Sequence, residues 1–239
     1  MKYFYQDILY VSLSVVLLLV LVIHMLARRR FPKGSPLLLG LMLLLSTAGL
    51  SDIAFRFNPR PDIVLLADSL NVFCFSFALA IILHFSLAYF SPNQRLTRTK
   101  LYLLLYAPAL VISGLHALSP LTIHGIISGP IGFQLSYNWG YWIIVAYGVL
   151  FGLYSLFLNV DMIFIKKDPA EKNRAAFLVF VLLLIAYFYQ SSLIFPFLFR
   201  MVNFASPLPT TCAVLVLAYA YIKYRYFTLE TIPASSSSH

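Results

Sequence analysis

The chain has 239 residues, 61% hydrophobic and only 10% charged, with a mean hydropathy of +0.87. Soluble domains carry about 25% charged residues, so this composition cannot build a water-facing surface, and lipid must be the solvent. The net charge of +9 points to topology and anionic headgroups rather than nucleic acid, because the basic residues sit in short loops and form no separate basic domain with interleaved aromatics.

Seven apolar runs follow one another, each near the length of about 20 residues that spans a bilayer as a helix. The first is Ile8–Ala27, introduced by Tyr3, Phe4 and Tyr5 and stopped by Arg28-Arg29-Arg30. No small-residue cleavage site follows Met1–Asp7, so a removed signal peptide is not expected. The second run, Pro36–Phe55, carries Asp52 with Arg56 four residues on, the spacing of a helical ion pair. The third, Ile63–Phe90, is long enough to tilt and carries Asp68, Asn71 and His84. The fourth, Leu101–Leu118, contains Pro108 and ends near His116.

The one long connection, Ser119–Asn138, has strand-like apolar pieces either side of Gly129-Pro130, which predicts a short hairpin over the bundle. The fifth run, Trp139–Val160, opens with an aromatic cluster and contains Gly148 and Gly152, a GxxxG that predicts a packing face within the chain or in a homodimer. The sixth, Ala175–Phe199, carries Gln190 and is followed by Arg200. The seventh, Pro207–Tyr221, continues as helix to Tyr226. Together these give an all-α fold, one seven-helix membrane domain over residues 1–227, with 228–239 as a disordered tail or cloning remnant.

The 17 basic residues sort onto alternate sides. Arg28, Arg29, Arg30, Lys33, Arg95, Arg98, Lys100, Lys166, Lys167, Lys172, Arg174, Lys223 and Arg225 fall on one side. Lys2, Arg56, Arg60 and Arg200 fall on the other. Alternation of this kind requires an odd number of spans, and the positive-inside rule places the N-terminus outside and the C-terminus in the cytoplasm.

Ionisable residues at membrane depth are costly and mark candidate sites. Asp52, Arg56, Asp68, Asn71, His116, Gln190 and Arg200 all fall toward the outer side, beneath the long connection. They could line a ligand pocket, Arg56 or Arg200 facing an anionic group and Asp52 or Asp68 a cation. The plainer alternative is headgroup solvation with one structural Asp52–Arg56 pair. On the inner side, His24 and His84 lack a nearby carboxylate and do not make a metal site. A histidine hydrogen-bonded between helices is the expectation there. Cys74 and Cys212 lie in apolar runs without disulfide or metal spacing. No cofactor is expected.

The lysines all lie in loops or at ends, which excludes a retinal Schiff base. No catalytic set converges at one depth, so no enzyme is expected. A transporter should show midplane polar groups or broken helices, whereas the midplane here is almost wholly apolar. Small-solute or lipid transport, or a structural accessory role, remains the alternative to a sensor.

Several stretches carry a family resemblance: the three-arginine stop, His84-Phe85-Ser86-Leu87-Ala88-Tyr89-Phe90, Tyr106-Ala107-Pro108, Tyr137-Asn138-Trp139-Gly140-Tyr141-Trp142, and the exit Tyr219-Ala220-Tyr221-Ile222-Lys223-Tyr224-Arg225-Tyr226-Phe227. In order and texture the chain resembles the seven-helix N-terminal sensor region of bacterial histidine kinases over nearly its whole length. The resemblance implies a bacterial inner-membrane sensor whose last helix joins a cytoplasmic kinase or cyclase domain. It assigns no ligand residue. No phosphoacceptor helix or ATP-binding motif is present in this sequence, so a truncated form or a lone sensor with a separate partner protein is expected. The expected partners are membrane lipids, an unidentified small ligand and that signalling domain.

Overall fold

Backbone groups in lipid must be satisfied within their own segment, and the apolar runs accordingly form helices. The computed structural model describes residues 2–27, 35–57, 60–90, 98–118, 120–129, 132–189 and 208–224. Among these are α1 (Lys2–Ala27), α2 (Ser35–Phe57), α3 (Pro61–Phe90), α4 (Arg98–Leu118), α5 (Tyr141–Ile165), α6 (Pro169–Tyr189) and α7 (Leu208–Tyr224). Between α4 and α5 lies one antiparallel hairpin, β1 (Ile123–Gly129) and β2 (Gly132–Tyr137). Among the described residues the fold is all-helical apart from that hairpin. Leu37–Ala54, Pro61–Leu87, Tyr141–Ile165 and Glu171–Tyr189 are long and apolar enough to cross a membrane, while Ile8–Leu21, Tyr102–Leu118 and Leu208–Tyr219 are shorter apolar segments.

Some bounds differ from the apolar runs for local reasons. Helix α6 begins at Pro169, ahead of Ala175, because proline suits the first helical position and the Asp168 carbonyl accepts the Lys172 N–H at 3.1 Å. Helix α5 begins at Tyr141 rather than Trp139, because the Tyr141 N–H bonds the Asn138 carbonyl at 3.0 Å in a turn. That turn needs Gly140, since a Cβ there would lie 2.5 Å from the Leu121 carbonyl oxygen. The part of the sixth run after Tyr189 lies outside the described residues.

Helix α3 is the hub. It packs against α2, α4 and α5 and touches β2, and its span is buried nearly all round, as expected for a helix apolar on every face. Its Phe75 packs between Phe188 and Tyr189 of α6, at 5.1 and 5.8 Å between ring centroids. The outer wall is inverted relative to a soluble protein. Leu150, Leu153, Phe157 and Phe164 of α5, and Leu9, Val16, Leu19 and Ile23 of α1, are exposed apolar residues, a surface that lipid covers and water would not tolerate.

Side-chain bonds fix the relative directions of the helices. Asp68 meets His116 and His84 meets Tyr106, so α3 and α4 are antiparallel. Tyr147 donates to the Ser76 carbonyl and Asn159 to Ser86, so α3 and α5 are parallel. Tyr189 at the end of α6 donates to the Ile144 carbonyl near the start of α5. Ser14 donates to Thr211 at 2.9 Å, which ties α1 to α7.

Candidate functional site

The site is built on the carboxylate of Asp68, on the first turns of α3. Its Oδ2 accepts a hydrogen bond from His116 Nε2 of α4 at 2.7 Å, and its Oδ1 accepts one from the Tyr137 hydroxyl at 3.0 Å. Asp68 and His116 are 1% and 2% exposed, so the pair is desolvated, and each hydrogen bond to the carboxylate is charge-assisted. One carboxylate thus joins two helices and the hairpin. Tyr141, the first residue of α5, completes the cluster. Its ring lies 4.2 Å from that of Tyr137 and edge-on to His116 at 5.9 Å.

The hairpin brings Tyr137 there by simple strand geometry. Residues two apart on a strand share a face, so Leu135 and Tyr137 point the same way. Leu135 packs, beside Ala54 of α2, on the Val64–Ala67 cluster of α3, and Tyr137 follows it to Asp68. The register pairs Ile126 with Leu135 and Ile123 with Tyr137, with an irregularity between Ile123 and Gly125. Below the strands, the Asn138 N–H bonds the Thr122 carbonyl at 2.8 Å and Asn138 Nδ2 bonds the Pro120 carbonyl at 2.9 Å, which closes the base. Burial, the Asp68 charge and its hydrogen bond hold the Tyr137 phenol well above its ordinary pKa, so Tyr137 remains a donor to the carboxylate into alkaline conditions.

Of the residues singled out in the sequence, Asp68 and His116 come into direct contact. Asn71 lies one turn along α3 from Asp68, 1% exposed, and its Oδ1 has no hydrogen-bond partner among the described residues. His116 Nδ1 is likewise buried and without one. Asp52 of α2 is wholly buried. Headgroup solvation does not describe these four groups, which face the bundle interior. The Arg56 side chain, and Gln190 and Arg200 altogether, lie outside the described residues. The expected Asp52–Arg56 pair therefore does too.

By residue type, Tyr137 and Tyr141 carry no site signal in the sequence, where Tyr137-Asn138-Trp139-Gly140-Tyr141-Trp142 has the composition of an aromatic anchor at headgroup level. The available signal was a polar-tipped ring two residues after Leu135, on the inward face of an alternating strand.

The inner end is different. His84 Nδ1 lies 3.0 Å from the Tyr106 hydroxyl, with the Tyr102 ring edge-on at 5.3 Å, so this histidine is bonded between helices. Nearby, Asn159 Nδ2 donates to Ser86 Oγ and to the Ser155 carbonyl, both at 2.7 Å. Among the described residues no group of three or more His, Cys, Asp or Glu could hold a metal.

The GxxxG divides. Gly148 packs within the chain, since a Cβ there would lie 2.6 Å from the Tyr189 ring. At Gly152, by contrast, nothing among the described residues lies within 4 Å of where its Cβ would be. It opens instead on an apolar cavity of about 250 Å3 between α5 and α6, lined by Leu79, Leu156, Leu182 and Tyr189 among others.

No curated protein matches the chain. Residues 10–233 match the family described as the N-terminal 7TM region of histidine kinase. With its apolar spanning helices and that match over nearly its whole length, the chain is a multi-pass membrane protein and belongs to the family of N-terminal 7TM sensor regions of histidine kinases.

Proposed function

We propose that this seven-span module senses a small ligand at its outer face and passes the signal through α7 to a cytoplasmic effector, such as a histidine kinase domain. Its N-terminus is outside and its C-terminus in the cytoplasm, and it has no catalytic activity of its own. The observation that carries this reading is the Asp68 cluster. A buried carboxylate costs free energy that apolar packing would avoid, and here it joins the hairpin to two helices at one point. Segregation of the basic residues supports an outer position for this end. Helix α2, which carries Asp52, packs on both α3 and α7, so a rearrangement at the cluster has a contiguous route to α7. Membrane lipids cover the exposed apolar wall. The apolar groove at Gly152 is where a homodimer contact would form.

The test needs no ligand. Spin labels on Ile165→Cys and Tyr219→Cys, both exposed positions on α5 and α7, report the distance between those helices, with Cys212 replaced by serine. The proposal expects the distance distribution to shift when Tyr137→Phe or Asp68→Asn loosens the cluster. An unchanged distribution in both variants contradicts it.

A further inference from the structure

The group left over beside Asp68 on its own helix is an acceptor. That group, Asn71 Oδ1, is buried and without a partner among the described residues. Asp68 and Asn71, three residues apart on α3, have Cβ atoms about 5–6 Å apart on one side of the helix. His116 Nε2 meets the carboxylate on its other oxygen, which leaves Oδ1 and its Tyr137 donor as the exchangeable side. The tilted rings of Tyr137 and Tyr141, 4.2 Å apart, add aromatic surface beside the carboxylate. A carboxylate, the unfilled Asn71 acceptor one turn away and aromatic surface are what an ammonium group needs, because it is a cation with several N–H donors.

We infer that the site takes a ligand bearing an ammonium group, a free ammonium ion or small primary amine, which replaces the Tyr137 hydroxyl as the donor to Asp68. The cluster is close-packed, so the cation enters by displacing Tyr137. That displacement releases β2 from α3 and makes binding and hairpin movement one event. The consequence for signalling rests on the sensor reading above, whereas binding itself does not. An ammonium group could come from a soluble amine or from a phosphatidylethanolamine headgroup.

The experiment is thermal unfolding of the protein in phosphatidylcholine nanodiscs with methylammonium chloride, tetramethylammonium chloride or potassium chloride at matched ionic strength. At a hundredfold excess over Kd, methylammonium should raise Tm by about 5 °C. Potassium should not, and neither should tetramethylammonium, which has the charge but no N–H. Measured against each variant's own baseline, the rise should vanish in Asp68→Asn and grow in Tyr137→Phe, where the competing donor is gone. A second arm exchanges part of the phosphatidylcholine for phosphatidylethanolamine. An Asp68-dependent rise confined to that arm assigns the ammonium group to lipid.

Equal shifts with all three salts, a shift retained in Asp68→Asn, or no shift in either arm would overturn the inference. The two proposals fail separately. Movement of α7 in the variants without an amine shift removes only the ligand class. An amine shift without movement of α7 removes only the signalling role.

Discussion

The two ends of α3 are fastened by different chemistry. At the end near Asp68, one carboxylate accepts from His116 and Tyr137 and so joins α3, α4 and the hairpin. At the end near Ser86, the fastening is neutral: Asn159 donates to Ser86 and to its own helix, and His84 meets Tyr106. Neutral bonds between membrane helices are modest and tolerant, because alternative partners exist when they break. A buried carboxylate is not tolerant, because whatever unseats one of its donors leaves a charge short of partners. The comparison teaches where a small polar molecule could do the most work. It gains little from competing with an amide–hydroxyl bond near the far end, and much from replacing a donor on Asp68.

Substitutions that treat the two ends alike expose the difference. Asp68→Leu should destabilise most, by about 3–5 kcal/mol, since it leaves the His116 N–H and the Tyr137 hydroxyl buried without their acceptor. Reversible unfolding in lipid would measure it, and a loss below about 1 kcal/mol would mean the cluster is solvated. Tyr137→Phe should cost less, about 1.5–3 kcal/mol, the value of one hydrogen bond to a charged group, as the same unfolding assay would read. At the opposite end, Asn159→Ala should cost only about 0.6 kcal/mol. A value above that for Tyr137→Phe would invert the comparison and make the Ser86 end the critical fastening.

Much of this was legible in sequence, in proportion to how local each feature is. The apolar runs, the Gly129-Pro130 hairpin signal and the alternating basic loops each need only a short window, and helices and hairpin appear where those signals lie. Pairing of Asp68 with His116 spans 48 positions. It depends on which helices become neighbours, which periodicity does not reveal in a chain whose central helix is apolar on every face. Both residues could be singled out as costly groups near one end, but not as partners. Tyr137 was hidden by the ordinary habit of tyrosine to sit at headgroup level. The two glycines of the GxxxG look alike in sequence, because the motif marks only small residues, and packing tells which of them receives a neighbour within the chain. Here Tyr189 covers Gly148 alone.

The central claim is that Asp68 latches the hairpin to the bundle through Tyr137, and it is tested most directly by hydrogen exchange at the hairpin amides. Exchange at residues 123–137 would be followed in lipid nanodiscs for the unmodified chain, Tyr137→Phe and Asn159→Ala. The account predicts faster exchange across the β1–β2 ladder in Tyr137→Phe and an unchanged pattern in Asn159→Ala. Equal protection in all three would contradict it, and would mean that Leu135 and the strand base hold the hairpin without help from the carboxylate.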